Sequence, residues 1–162
     1  MPSAQHVEAN EQMGRPASTE LRSLLRELHA TNNGYLNSVH RRGKVLFAEG
    51  EQAQGVYIMR TGRAAVSISS SEGRMVILRT AQSGDVLGLN SVLNNSLHET
   101  TVKTLEPCCT DFVPRAQLIS LMEKSIPGGR LIVDILGREL TELIERTRLL
   151  PHSLVERSRC EP

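Results

Sequence analysis

The 162-residue sequence has no tryptophan, two phenylalanines, two tyrosines and three cysteines. With so few aromatic rings, its core has to be built mainly from aliphatic side chains. No apolar run approaches the ~20 residues that a membrane-spanning helix needs. The N-terminus also lacks the basic start and apolar stretch of a secretory signal. These absences favour a cytoplasmic protein with no membrane partner.

The sequence also lacks an excess of either charge. Its 19 basic and 18 acidic residues give a net charge of +1. Proteins that bind nucleic acid through the phosphate backbone usually carry a basic surface, so no direct nucleic acid partner is expected. The length suits one domain with a substantial core.

Cysteine and histidine give no metal-ligand spacing. Cys108, Cys109 and Cys160 form no C-x-x-C motif. On a strand, the adjacent pair points to opposite faces, which predicts one buried and one half-exposed thiol. The five histidines are scattered, and His98 is expected to be a solvated loop residue. We therefore expect no metal and no cofactor.

The N-terminal part predicts a polar arm over residues 1–17 followed by a helix. In STELRSLLRELHATNNG, Ser18 or Thr19 can cap the helix, and Asn32-Asn33-Gly34 ends it. The helix carries leucines at the i, i+3, i+4, i+7 spacing of one apolar face: Leu21, Leu24, Leu25 and Leu28.

Short apolar runs separated by glycine-bearing turns occupy the middle of the chain. This pattern predicts a mainly β fold of about eight strands, a double-stranded β-helix or jelly roll. The runs are SVHRR, KVLFA, VYIMR, AAVSISS, MVILRTA, TTVKTL and CTDFV.

Helical periodicity returns after Pro114 in PRAQLISLMEK, and SIPGG then interrupts it. A long helix is predicted from about Arg130 to Leu149, ended by Pro151. The predicted organisation is therefore a jelly-roll domain at 18–129, a long helix at 130–150 and a tail at 151–162.

The long helix carries a coiled-coil seam whose residues step by 4, 3, 4 and 3. Ile135 and Ile144 lie off this seam, so the helix has more apolar surface than one face can bury. We expect the seam to pair with a second copy in a homodimer. The seam residues are Leu136, Leu140, Leu143, Thr147 and Leu150.

This layout resembles the cyclic-nucleotide-binding domain of Crp/Fnr-type transcriptional regulators over about residues 18–150. The resemblance implies a jelly roll, a short helix after Gly88 and a long C-terminal dimerisation helix. Its most specific stretches are RRGKVLFAEGEQAQGVYIMRTGRAAVSI and SGDVLG. The matching positions are Gly43, Leu46, Phe47, Gly50 and Glu51, then Val56, Tyr57, Ile58, Met59 and Gly62, then Gly84, Asp85, Leu87 and Gly88.

The resemblance also implies where a cyclic nucleotide would bind. In nucleotide-binding members, a Glu after the short helix's glycine holds the ribose, and an Arg-Ser/Thr-Ala triplet holds the phosphate. Here Leu89 and Glu99-Thr100-Thr101 occupy those positions, so only the Thr100 hydroxyl is kept. We therefore expect no tight binding of cyclic AMP or cyclic GMP. The degenerate pocket comprises Gly88, Leu89, Asn90, Ser91, Glu99, Thr100 and Thr101.

Two functions remain open. The first is a non-catalytic regulatory sensor and dimerisation module, whose pocket takes another small molecule or which acts on a protein partner. The second is a true cyclic-nucleotide-binding protein that uses an unconventional cation: Arg79, Lys103 or Arg130. An enzyme of the cupin type would need a His/His/Glu metal set on adjacent strands, and His98 with Glu99 does not provide one.

Two further expectations follow from the resemblance. In dimeric members the long helix also contacts the nucleotide base, and the matching segment here is the apolar Leu143-Ile144. A register shifted by three residues would place Arg146-Thr147 there instead. The segment PHSLVERSRCEP after the long helix is too short for a helix-turn-helix, so we expect no direct DNA binding by this chain.

Overall fold

The computed structural model describes residues 17–28 and 36–149. The expectations for the arm at residues 1–16, the Asn32-Asn33-Gly34 helix stop, Leu150, Cys160 and the tail lie outside these residues. No helix within the described ranges is long and apolar enough to cross a membrane.

Four helices form in the described ranges, three in regions where the periodicity predicts them and one where the resemblance implies it. The first helix already includes Ala17, Ser18 and Thr19, so the expectations of an arm reaching residue 17 and of a cap at Ser18 or Thr19 are wrong. The first keeps its predicted apolar face, since Leu21 and Leu25 are fully buried. The short second helix follows Gly88, as the resemblance implies. The helices are α1 (Ala17–Leu28), α2 (Leu89–Leu93), α3 (Arg115–Lys124) and α4 (Ile126–Arg148).

Eight strands complete the mainly β fold, which confirms the predicted jelly roll. Each of the seven predicted runs overlaps one strand. The eighth, β6, has two residues and is therefore too short to show an alternating pattern. The strands are β1 (Leu36–His40), β2 (Val45–Phe47), β3 (Gly55–Thr61), β4 (Ala64–Ser69), β5 (Met75–Ala81), β6 (Val86–Leu87), β7 (Thr101–Thr104) and β8 (Cys108–Pro114).

The strands form two four-stranded antiparallel sheets, ordered β1-β8-β3-β6 and β2-β7-β4-β5. Alternate residues of β3 divide the core into two parts. Val56 and Ile58 pack with the leucines of α1, α3 and α4. Met59 packs between the sheets with Phe47 and Val66. The barrel interior and the helical layer are thus joined through one central strand.

The cysteine pair on β8 has the predicted burial. Cys108 is buried in the barrel interior, whereas Cys109 is half-buried. The Cys108 thiol donates to the carbonyls of Arg63 and Glu106 at 3.3 and 3.2 Å. Burial raises the pKa of this thiol, so Cys108 acts as a small apolar core residue.

Helix α4 begins four residues before the predicted Arg130. Ser125 caps it, since its hydroxyl accepts a hydrogen bond from the Gly128 amide at 3.0 Å. Pro127 lies in the first turn, where its missing N–H costs no helical hydrogen bond. A Cβ on Gly128 would lie 2.7 Å from Leu121 Cγ, so glycine permits close packing of α4 against α3. The segment SIPGG, predicted to interrupt the helical region, therefore contains the start of α4.

The two halves of α4 have different environments. In the first half, Leu131, Ile132 and Ile135 are buried in the helical core, and the seam residue Leu136 packs against it. From residue 137 to residue 149, every position is exposed except the half-buried Glu139. The apolar side chains exposed there include Leu140 and Leu143, both 58% exposed.

An ionic cluster fixes α1 to the first sheet. The Asp111 side chain is only 2% exposed and accepts a hydrogen bond from Asn37 Nδ2 at 3.0 Å. Arg22 of α1 and Arg60 of β3 lie 3.7 and 3.8 Å from its carboxylate oxygens. Two guanidinium groups and one amide therefore compensate the buried charge.

Candidate functional site

A cavity of about 510 Å³ lies between the second sheet, α2 and the exposed half of α4. A volume of roughly 300–1,000 Å³ is typical of small-molecule sites. The buried side chains that line this cavity are almost all apolar. Among the described lining residues, Ser91 has the one buried polar side chain. The buried apolar side chains in the lining are Phe47, Val66, Val86, Leu87, Leu89 and Val102.

The structure brings most of the predicted pocket residues together around this cavity. Gly88, Leu89, Asn90 and Ser91 line it from the start of α2, and Glu99 and Thr100 line it from the loop before β7. Thr101 is not part of the lining. Its hydroxyl instead accepts a hydrogen bond from the Glu49 amide at 2.9 Å.

The two positions at which the resemblance places the ribose and phosphate contacts, Leu89 and Glu99, have different environments. Leu89 is 1% exposed and packs in the helical core. Glu99 is exposed, and its carboxylate accepts a hydrogen bond from Asn90 Nδ2 at 3.2 Å. A carboxylate therefore lies against the first turn of α2, where an incoming phosphate would meet like charge.

Helix α4 contributes a second group of lining residues. The resemblance places Leu143-Ile144 at the nucleotide base, or Arg146-Thr147 in the shifted register, and all of these except Ile144 line the cavity. The sequence assigned no such position to Glu139 and Glu142. Glu139 and Glu142 add two carboxylates. Leu143 and Thr147, predicted for the dimer seam, also line the cavity. Burial raises the pKa of Glu139; Arg79 opposes this shift, while Asp85 and Glu142 reinforce it. The sequence shows the spacing of these residues along the helix, but it does not show that this face of α4 lies toward β5.

Both arginines that line the cavity already have partners. Arg79 Nη1 lies 3.0 Å from Asp85 Oδ2 in an ion pair. Arg146 Nη1 donates to the Leu78 carbonyl oxygen at 3.0 Å and thereby joins α4 to β5. Lys103 and Arg130, the other two candidate cations, are exposed and are not among the lining residues.

The expectation of a solvated His98 is wrong. Its side chain is 5% exposed, and its ring stacks on Phe47 with centroids 3.8 Å apart. Gly88 leaves room for the ring, because a Cβ there would come within 3.0 Å of His98 Cε1. Gly88 also has a φ of +83°, which favours glycine. Burial lowers the pKa of His98, against a smaller opposing effect of Glu51.

The family comparison agrees with this architecture. The model of the cyclic nucleotide-binding domain matches residues 38–125, more than half of the chain, and the chain belongs to this family. No curated protein matches its sequence significantly.

Solved structures of Crp/Fnr-type regulators have the same fold, which confirms the predicted resemblance. The catabolite activator protein of Thermus thermophilus is 18% identical over 84% of this chain, with a TM-score of 0.66. The N-terminal domain of a Streptomyces coelicolor A3(2) transcriptional regulator is also 18% identical. There the match covers 80% of this chain and 91% of that domain, with a TM-score of 0.61.

A third similar structure is the c-di-GMP-responsive global regulator of Xanthomonas campestris. It is 18% identical over 78% of this chain, with a TM-score of 0.66. The match spans 60% of the Thermus protein and 61% of the Xanthomonas protein. At these identities, the likeness concerns the fold.

Proposed function

We propose that this domain is a non-catalytic regulatory sensor and dimerisation module that does not bind cyclic AMP or cyclic GMP tightly. The observation that carries the proposal is the position of Leu89 and Glu99 in the cavity lining. They stand where nucleotide-binding relatives are expected to hold ribose and phosphate.

The charges around the cavity support this proposal. A guanidinium hydrogen-bonded to phosphate contributes about 1.5–3 kcal/mol in a protein site. Glu99 replaces that attraction with repulsion, and Leu89 cannot accept a hydrogen bond from a ribose hydroxyl. The cavity has three lining carboxylates, Glu99, Glu139 and Glu142, against two lining guanidinium groups. A cyclic nucleotide would thus enter an acidic site without its two main anchors.

A homodimer through α4 is the second part of the proposal. The coiled-coil seam reaches the exposed half of the helix, where Leu140 and Leu143 are unburied within one copy. Strand β5 extends this apolar surface, because four consecutive residues, Met75–Leu78, are each at least 42% exposed. Such a patch is typical of a protein interface, and a parallel twin helix would bury the seam.

The proposal assigns no catalytic role and no direct DNA contact to the described domain. Its family and the similar structures are regulatory cyclic-nucleotide-binding proteins. The near balance of 19 basic and 18 acidic residues also gives little attraction to a phosphate backbone. We infer that the domain acts by changing the shape or pairing of α4.

One observation favours the alternative, a true cyclic-nucleotide-binding protein with an unconventional cation. Arg79 and Arg146 both line the cavity. To bind a phosphate, Arg79 would have to leave Asp85, or Arg146 would have to leave the Leu78 carbonyl. The loss of either existing contact reduces the binding free energy gained from the new arginine–phosphate contact.

A thermal-shift titration with cyclic AMP and cyclic GMP at millimolar concentration distinguishes the two functions. A ligand at about 100 times its dissociation constant adds ~2.7 kcal/mol, which raises the melting temperature by several degrees. We expect no rise. A rise that Arg79→Gln or Arg146→Gln abolishes, while Arg138→Gln keeps it, would establish the alternative. Arg138 is the control because it lies on α4 outside the cavity lining.

A further inference from the structure

The chemistry of the cavity differs between its buried and its exposed parts. Phe47, Val66, Leu89 and Val102 make the buried part apolar. A ligand that fills this part gains free energy in proportion to the apolar area that it removes from water. A charged group placed there would lose its hydration without finding an opposite charge.

The exposed part of the cavity is unfavourable for an anion. Its carboxylates are Glu99 from the loop and Glu139 and Glu142 from α4. Its guanidinium groups are held by Asp85 and by the Leu78 carbonyl. The lining therefore has three carboxylates against two arginines, one of which is already paired with Asp85, so an anionic ligand meets net repulsion.

A few neutral polar groups can orient a ligand at the boundary between these parts. Ser91 is 4% exposed, Thr100 is half-buried, and Asn90 is held by its hydrogen bond to Glu99. Within the described ranges, the Thr100 hydroxyl has no side-chain hydrogen-bond partner. An apolar pocket with few convergent polar groups is the usual composition of a small-molecule site.

We infer that this cavity binds an uncharged, mainly apolar small molecule with one or two hydrogen-bonding groups, and that it discriminates against anions of the same shape. The inference rests on the proposed function, because it gives the sensor a ligand class. The cavity volume of about 510 Å³ accommodates a molecule of two to three fused or linked rings.

Two fluorescent probes with a common framework test the inference on the full chain. N-phenyl-1-naphthylamine is neutral, and 1-anilinonaphthalene-8-sulfonate adds one sulfonate to the same rings. We expect the neutral probe to bind at least about tenfold more tightly to the wild-type chain, as like-charge repulsion disfavours the sulfonate. Equal affinity, tighter binding of the sulfonate, or no binding of the neutral probe would overturn the inference.

Matched variants locate the bound probe. Thr100→Phe adds a ring inside the cavity and is expected to weaken binding of the neutral probe about tenfold or more. Leu97→Phe adds a ring to the same loop outside the lining, at a residue that is 53% exposed, and should change little. If the Thr100→Phe variant has a lower melting temperature than the wild type, the Asn90→Phe variant, which changes an exposed lining residue, is used instead. Unchanged binding in the folded lining variant would place the probe elsewhere and refute the assignment.

A charge variant separates failure of this inference from failure of the proposed function. Glu99→Gln should strengthen binding of the sulfonate probe several-fold, whereas Glu106→Gln, beside Arg63 and away from the cavity, should not. Displacement of the neutral probe by micromolar cyclic AMP would refute the proposed function. A chain that binds neither probe nor cyclic AMP would refute only the ligand class, because a dimerisation module needs no ligand.

Discussion

Restoring the two missing anchors should give this domain cyclic-nucleotide binding. The double variant Leu89→Glu with Glu99→Arg places a carboxylate at the start of α2 and a guanidinium in the loop that lines the cavity. Two other features of this region are left unchanged, the positive φ of Gly88 and the position of Thr100 in the lining. The variant therefore changes two lining residues and leaves the other lining residues as they are in the wild type.

The expected gain follows from the two new contacts. A charge-assisted hydrogen bond contributes ~1.5–3 kcal/mol, so two anchors give roughly 3–6 kcal/mol, or about 10²–10⁴-fold in affinity. Part of this gain is offset, because Leu89 is 1% exposed and a carboxylate at its position loses hydration when no ligand is bound. The unliganded double variant should consequently melt below wild type and regain stability with cyclic AMP.

Isothermal titration calorimetry of the double variant and both single variants measures this gain. Each single variant should recover only part of the affinity, and Glu106→Arg, outside the cavity lining, should recover none. A folded double variant that binds cyclic AMP no better than wild type would refute the reasoning. It would mean that restoring side chains at positions 89 and 99 is not sufficient for cyclic AMP binding.

Three further predictions concern the dimer, the ionic cluster and His98. Leu140→Asp should convert the dimer into a monomer, as measured by sedimentation velocity. Thr141→Asp, which changes an exposed residue of the same helix off the seam, should leave the dimer intact. If the Leu140→Asp variant is still a dimer, α4 is not the interface. Asp111→Ala should lower the free energy of unfolding, measured in urea, by about 2–4 kcal/mol. Asp111→Asn should lower it by less, because the amide keeps an acceptor for Asn37. Equal losses would show that the kept acceptor at position 111 does not contribute to stability. Since burial lowers the pKa of His98 below 6.5, the unfolded chain binds its proton first, so stability should fall as pH drops below 6.5. His98→Leu should flatten that part of the pH profile, and an unchanged slope would contradict the burial of this ring.

The strands and helices could be predicted because their signals are local. Apolar runs between glycine turns, and the leucine spacing of α1, depend on residues close in sequence. The start of α4 was misplaced because proline and glycine usually end a helix. Here Pro127 occupies a tolerated first-turn position, and Gly128 is required by close packing against Leu121. That packing is a tertiary contact, which no local pattern reports.

The cavity was predictable only in part for the same reason. The resemblance to Crp/Fnr-type regulators implied that Gly88 to Ser91 form part of the pocket, and they lie in the lining. Glu139 and Glu142, which no pattern predicted for the lining, enter it because α4 lies along β5, where Arg146 donates a hydrogen bond to the Leu78 carbonyl. The burial of His98 depends on Phe47, 51 positions earlier in the numbering and in contact only after folding.

The most direct test of the central claim is the dissociation constant of cyclic AMP for the wild-type chain, measured by isothermal titration calorimetry. The loss of both anchors predicts weak binding, with a dissociation constant near millimolar or above. A dissociation constant below about 10 μM would contradict the account, because a cavity with Leu89 and Glu99 at the anchor positions would then hold a cyclic nucleotide tightly.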